Sequence, residues 1–167
     1  MHSRRLAWAL GVLAVAFAAA SHADEQAFIK EAVQSNLAEV QLGELAAQRA
    51  ANEAVRKFGD TVRTDHKAAL LRTTNIAKSL KIEPPTEPST EARGFYEGLS
   101  QLSGSEFDAA FVSFMVSAHE AEIANYSRNA SSDNDAIAAM VAETLPKLKA
   151  HLATALALQK GAPAQSP

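Results

Sequence analysis

Polar and apolar residues alternate along this chain at spacings of three and four, the period of a helix that turns one face to a core. Over residues about 53–80 that face carries Val55, Phe58, Val62, His66, Ala69, Thr73, Ile76 and Leu80. An earlier segment, about 25–51, spaces Ala32, Asn36, Glu39, Gly43, Ala46 and Ala50 beside a stripe of Val33, Leu37 and Val40. A third begins at Ser105 and carries Val112, Met115, His119, Glu122 and Tyr126. A fourth follows the turn Ser131–Asn134 with Ile137, Val141, Thr144, Leu148, His151, Ala155 and Leu158. The run Ser105-Glu106-Phe107-Asp108 after Gly104 is a capping arrangement, with Ser and Asp side chains placed to accept from free N–H groups. Pro146, inside the fourth pattern, predicts a kink or a division of that helix.

The connections set the order in which such helices pack. Two are brief. The third, KIEPPTEPSTEARGFYEGLSQLSG, is 24 residues long with three prolines and one short helical piece from about Ser89 to Leu102. Short, long, short predicts two antiparallel hairpins joined by a crossover, the connectivity of ferritin-like four-helix bundles. The expected fold is therefore all-α, with a short extra helix in the crossover. Composition agrees: only 7 glycines stand among 167 residues, and helix formers fill the long segments.

The first residues belong to another pattern. MHSRR, then LAWALGVLAVAFAAA, then Ser21-His22-Ala23, reads as a secretory signal over residues 1–23, cleaved after Ala23. The apolar run is shorter than the roughly 20 residues that span a bilayer. The mature domain then covers 24–160, with a disordered tail at 161–167, and is expected in the periplasm or secreted, with no integral membrane segment. Loss of Arg4 and Arg5 lowers the 16 basic residues to 14 against 19 acidic ones, which disfavours nucleic acid as a partner. The chain has no cysteine, so it must be stable without disulfides.

Candidate chemistry lies on the helix faces. Once the signal is removed, the histidines are His66, His119 and His151, each on the apolar repeat of a different helix. With a turn near residues 52 and 53, Glu39 and His66 lie at one level, because both are about 13 residues from it and the rise is ~1.5 Å per residue. With a turn near 132, His119 and His151 are offset by roughly 8 to 9 Å. The expected layer is thus Glu39, His66 and His119, with Glu122 as a further ligand or proton acceptor and His151 the outlying member. Buried carboxylates are costly unless paired or bound to a metal, and imidazole with carboxylate suits Fe, Mn, Cu or Zn. Asp65 and Glu120, beside two of the histidines, either orient the imidazoles as acceptors or lie on solvated faces, the solvated reading being preferred, and Glu44 is read as part of a polar face. Neither G-x-S-x-G nor H-E-x-x-H occurs, so nucleophilic chemistry has no support. The alternative is a non-enzymatic envelope interaction or stress protein whose inward polar residues only fix helix register.

Four stretches carry a resemblance: AEVQLGELA at 38–46, FGDTVRTDHKAA at 58–69, LSGSEFDAAFVSFMVSAHEAEI at 102–123 and TLPKLKAHL at 144–152. Together the chain, over about 25–158, resembles the DUF4142 family of exported bacterial proteins, often labelled predicted outer membrane proteins. The resemblance implies a ferritin-like bundle with Glu39, His66, His119 and His151 at the family's polar helix positions. It implies no reaction. The paired E-x-x-H motifs of di-iron ferritins are missing: His119-Glu-Ala-Glu122 runs in reverse, and Arg63 stands three residues before His66.

Overall fold

The computed structural model describes residues 7–161, with side chains from residue 23 onward. Five helices and no strand occur among these residues: α1 (Ala7–Arg49), α2 (Glu53–Ser79), α3 (Thr90–Ser100), α4 (Gly104–Arg128) and α5 (Asp135–Gln159). The backbone of α1 runs unbroken from Ala7, through the cleavage point expected after Ala23, to Arg49. The basic start of the expected signal peptide, the side chains of its apolar run and the tail beyond Gly161 lie outside the described residues. Among the described residues no helix is long and apolar enough to cross a membrane.

Caps define most of the helix starts. The side chain of Asn52 accepts from the Ala54 N–H, that of Ser89 from Ala92, and that of Asn134 from Ala136 and Ile137. The expected cap at Ser105 is not formed: α4 starts at Gly104, and the preceding Ser103 makes no side-chain cap. Asp108 is used elsewhere. Its carboxylate accepts from the backbone N–H groups of Ala51 (2.9 Å) and Asn52 (2.7 Å), tying α4 to the turn between α1 and α2. Nor does Pro146 divide α5, which runs unbroken through it. Both Pro146 and Ala142, whose carbonyl loses its N–H donor, lie on the exposed face, so the missing bond is not buried.

Helix α1 packs along α2 and α4 along α5; α2 also meets α5, and α1 meets α4. The α1–α2 contact is close at two glycines. A Cβ at Gly43 would lie 2.6 Å from the Gly59 carbonyl oxygen and 2.7 Å from the Arg63 backbone nitrogen, so only glycine allows this approach.

The apolar interior falls into two clusters. One, near the α1–α2 turn, contains Leu42, Phe58, Leu99, Phe107, Phe111 and Met115. The other, at the opposite end, contains Phe28, Ile29, Tyr126, Ile137, Met140 and Val141. Tyr126 belongs there, edge-on to Phe28 with ring centroids 5.1 Å apart. Between the clusters, in sequence along every long helix, lie the buried polar residues Asn36, Glu39, His66, His119 and His151.

Candidate metal centre

Each long helix contributes to this layer: Glu39 from α1, His66 from α2, His119 and Glu122 from α4, and His151 from α5. Glu39, His66, His119 and His151 are each at most 4% exposed. The three imidazole centroids lie 5.2 to 5.6 Å apart, and Glu39 Oε2 is 2.6 Å from His66 Nε2. The levelling of Glu39 with His66 follows from the three-residue link between α1 and α2, which keeps the hairpin symmetric.

His151 does not lie off the layer. Its Nδ1 is 3.1 Å from His119 Nε2, so the axial offset expected from a turn near 132 is absent. The connection between α4 and α5 explains the difference. Helix α4 ends at Arg128, nine residues or ~13 Å above His119, whereas Ser132 hydrogen-bonds Glu25, which is 14 residues or ~21 Å above Glu39 on α1. The connection therefore climbs before α5 begins, and the longer path down α5 brings His151 level with His119.

Which ring nitrogen of each histidine faces inward is set by its outer partner. The Asn36 amide nitrogen donates to the Ala32 carbonyl (2.7 Å), which leaves its oxygen to accept from His66 Nδ1 at 2.9 Å. His119 Nδ1 donates to the Met115 carbonyl at 2.9 Å. His151 Nε2 donates to Asp65 at 2.9 Å. Asp65 was expected to be solvated; it is instead about a third exposed and shared between His151 and Lys147, the latter at 3.3 Å. Partial burial opposes its ionisation, but hydrogen bonds from His151 and Lys147 hold its carboxyl below the usual range. Glu120 is exposed as expected, and Glu44 accepts from Gln48 on the helix surface.

With burial lowering the pKa of all three histidines, each ring is neutral; the proton of His66 and that of His151 point outward, and that of His119 goes to the Met115 carbonyl from Nδ1, an atom that also lies 3.6 Å from Glu39 Oε1. Their inner atoms, His66 Nε2, His119 Nε2 and His151 Nδ1, then present lone pairs. Two of these face each other across 3.1 Å, and the third faces a carboxylate oxygen at 2.6 Å without an aligned hydrogen bond. Both Glu39 oxygens, His66 Nε2 and Glu122 Oε2 are shielded from solvent and have no hydrogen-bond partner. Buried polar atoms are nearly always partnered, so four in one place is unusual. Burial raises the pKa of Glu39 against the opposing pull of His119, and burial together with Glu39 pushes Glu122 up to about 8. All these atoms await positive charge, either a proton or a metal cation. Two overlapping sets, His66/His119/His151 and Glu39/His66/His119/Glu122, each offer one donor atom per residue within 4.8 Å of the others, a spacing that could hold a metal ion.

Comparison with known proteins places the chain. A family described as Domain of unknown function (DUF4142) matches residues 11–158. The chain belongs to the DUF4142 family. No curated protein matches it. Among solved structures it is similar to one described as the crystal structure of a DUF305 fragment from Deinococcus radiodurans, at 14% identity and a TM-score of 0.74, over 83% of this chain and 96% of that one. At that identity the likeness concerns the fold alone.

The sequence pattern places the inward residues, and it offers Asp65 as an imidazole acceptor only as the second reading; the ring it holds is His151, not the adjacent His66. Asn36 stands on the same face as Glu39, three residues earlier, and that spacing is a usable signal for a partner to a histidine on the facing helix. For Asp65 the signal was its place beside His66, but it points about 100° away around α2, toward α5.

Proposed function

We propose that this protein is exported, loses its signal after Ala23, and folds as a ferritin-like bundle of two antiparallel hairpins, α1–α2 and α4–α5, holding one divalent transition-metal ion at mid-height. His66, His119 and His151 supply neutral imidazole nitrogens, and Glu39 and Glu122 supply carboxylate oxygens. The ion is Fe, Mn, Cu or Zn, since the donors are nitrogen and oxygen with no thiolate. Its role is metal handling or envelope stress.

The observation that supports this reading best is the orientation of the three rings. One N–H of each ring is used by a fixed acceptor, which leaves His119 Nε2 and His151 Nδ1 as lone pairs facing each other and His66 Nε2 facing Glu39 with no hydrogen-bond partner. Metal-ligating histidines are held in this way, their second nitrogen bound to a carboxylate, a carbonyl or another fixed acceptor. A bound cation would supply what Glu39 and the inner nitrogens lack, and would hold Glu122 ionised. As a Lewis acid with an open position it would also polarise a bound water or oxygen species, if the protein turns anything over. A polar layer serving only helix register would be expected to partner its atoms with one another.

Elemental analysis of the untagged mature protein, with His66→Ala/His119→Ala as control, tests the assignment. About one equivalent of metal, lost in the double variant, is the expected result. A protein that is metal-free and takes up no added Fe, Mn, Cu or Zn would overturn it and leave the envelope interaction reading. N-terminal sequencing of the exported protein should begin at Asp24.

A further inference from the structure

Apart from Glu122, the ligands of this centre are at most 4% exposed on four helices, so an ion needs a route to them. A cavity of about 470 Å3 lies against the carboxylate side. Its walls come from α1, α4 and the start of α3; α2 and α5, which carry His66 and His151, contribute none. The cavity therefore opens onto the carboxylate side of the centre.

The lining is charged with one predominant sign. Glu31 and Glu91 are exposed and Glu39 and Glu122 lie deeper, against a single guanidinium, Arg128. Glu39 is 2% exposed and Glu122 half-buried, and their unpartnered oxygens belong to residues that line the cavity. A cavity this size has room for about 15 waters at ~30 Å3 each, enough for a cation with its hydration shell. The crossover has a use in this arrangement, because Ser89, Glu91 and Ala92 at the start of α3 form one wall.

Resting on the metal assignment above, we propose that this cavity is the access route for a hydrated divalent cation, drawn in by Glu31 and Glu91 and passed by Glu122 to Glu39 and the histidines. Field focusing by one-signed clefts raises association rates by about 10- to 1,000-fold, so removing two of the four charges should slow capture several-fold. Such an effect must weaken with salt, because the screening length falls to ~3 Å at 1 M.

Cobalt(II), whose d–d absorption reports coordination, is mixed in a stopped-flow instrument with the metal-free mature protein. Expected for Glu31→Gln/Glu91→Gln is loading at least about threefold slower at low ionic strength, converging on wild type near 1 M salt, with unchanged stoichiometry. Ala118→Phe, which fills the cavity beside Glu122, should slow both loading and chelator-driven release about tenfold and leave Kd unchanged. Glu120→Gln, exposed on α4 and outside the lining, is the control. If both cavity variants load at the wild-type rate, the route is wrong and the metal site stands. If wild type never binds cobalt, both fall. Should Ala118→Phe not fold, the double Gln variant decides alone.

Discussion

Replacing Asp65 by Asn separates a metal centre from a structural polar layer, because the two readings predict opposite balances. In the wild type the Asp65 carboxylate only accepts, so His151 keeps its proton on Nε2 and turns Nδ1 inward. An Asn at 65 can present its amide N–H instead. His151 then moves its proton to Nδ1, where it donates to His119 Nε2 at 3.1 Å. In the metal-free protein one charge-assisted bond is lost, worth about 1.5–3 kcal/mol if fully buried, and one neutral bond of about 0.5–1.5 kcal/mol is gained. Asp65 is about a third exposed and shared with Lys147, so the loss lies near the lower limit. The net change in unfolding free energy is within about 1 kcal/mol of zero.

Metal affinity should respond quite differently. The tautomer change removes a donor from the centre, and loss of an outer partner of a ligating histidine costs about 10- to 100-fold in affinity. The exposure of Asp65 favours the lower end, about 10- to 30-fold, or 1.4–2 kcal/mol. Competition titration with a chromophoric chelator gives the affinity, and urea unfolding of the metal-free protein gives the stability. Affinity within twofold of wild type, or metal-free stability lowered by more than about 2 kcal/mol, would refute the assignment of tautomers on which the centre is built.

Three further outcomes follow from the same geometry. Glu39→Gln should weaken metal binding by at least about 100-fold, yet change metal-free stability by no more than about 1 kcal/mol, since the buried carboxyl has no hydrogen-bond partner to lose; thermal melts with and without metal measure both. Gly43→Ala should cost about 1–3 kcal/mol and weaken metal binding, because a methyl 2.6 Å from the Gly59 carbonyl must push α1 from α2 and so move Glu39 from His66. The pH profile of metal-free stability should peak near 6.5. Glu122, pushed up to about 8, binds a proton in the folded chain that the unfolded chain releases, so stability rises as pH falls through 8; the histidines, lowered from 6.5, are protonated first in the unfolded chain, so stability falls below that. A steady rise of stability from pH 6.5 to 9 in urea titrations would contradict this, and a zinc-loaded sample should lose the alkaline limb.

The helices were legible because their apolar period is unbroken over many turns: α2 was expected over 53–80 and spans Glu53–Ser79, and the crossover piece expected at 89–102 is Thr90–Ser100. The pairing of Glu39 with His66 was legible because a three-residue link leaves a hairpin no freedom to slide. His151 was misplaced for the converse reason. The level of α5 depends on how far residues 129–134 climb, and that is fixed by a contact with Glu25, 107 positions earlier. Asp65 and Asp108 were misread alike, since each bonds across helices that are not sequence neighbours, one to His151 and the other to the Ala51–Asn52 turn.

These misses share a cause that bears on the chemistry. Helical periodicity decides which side chains enter the interior, and for Glu39, His66 and His119 that was enough to gather them. It does not decide which nitrogen of a ring faces the others. That choice is made by Asn36 on the neighbouring helix, by the Met115 carbonyl four residues before His119 on the same helix, and by Asp65 across the hairpins. Only with all three fixed does the layer change from three histidines that could satisfy one another into three lone pairs that cannot. A ring rotated by half a turn would keep the burial, the spacing and the sequence pattern, and would remove the reason to expect a cation.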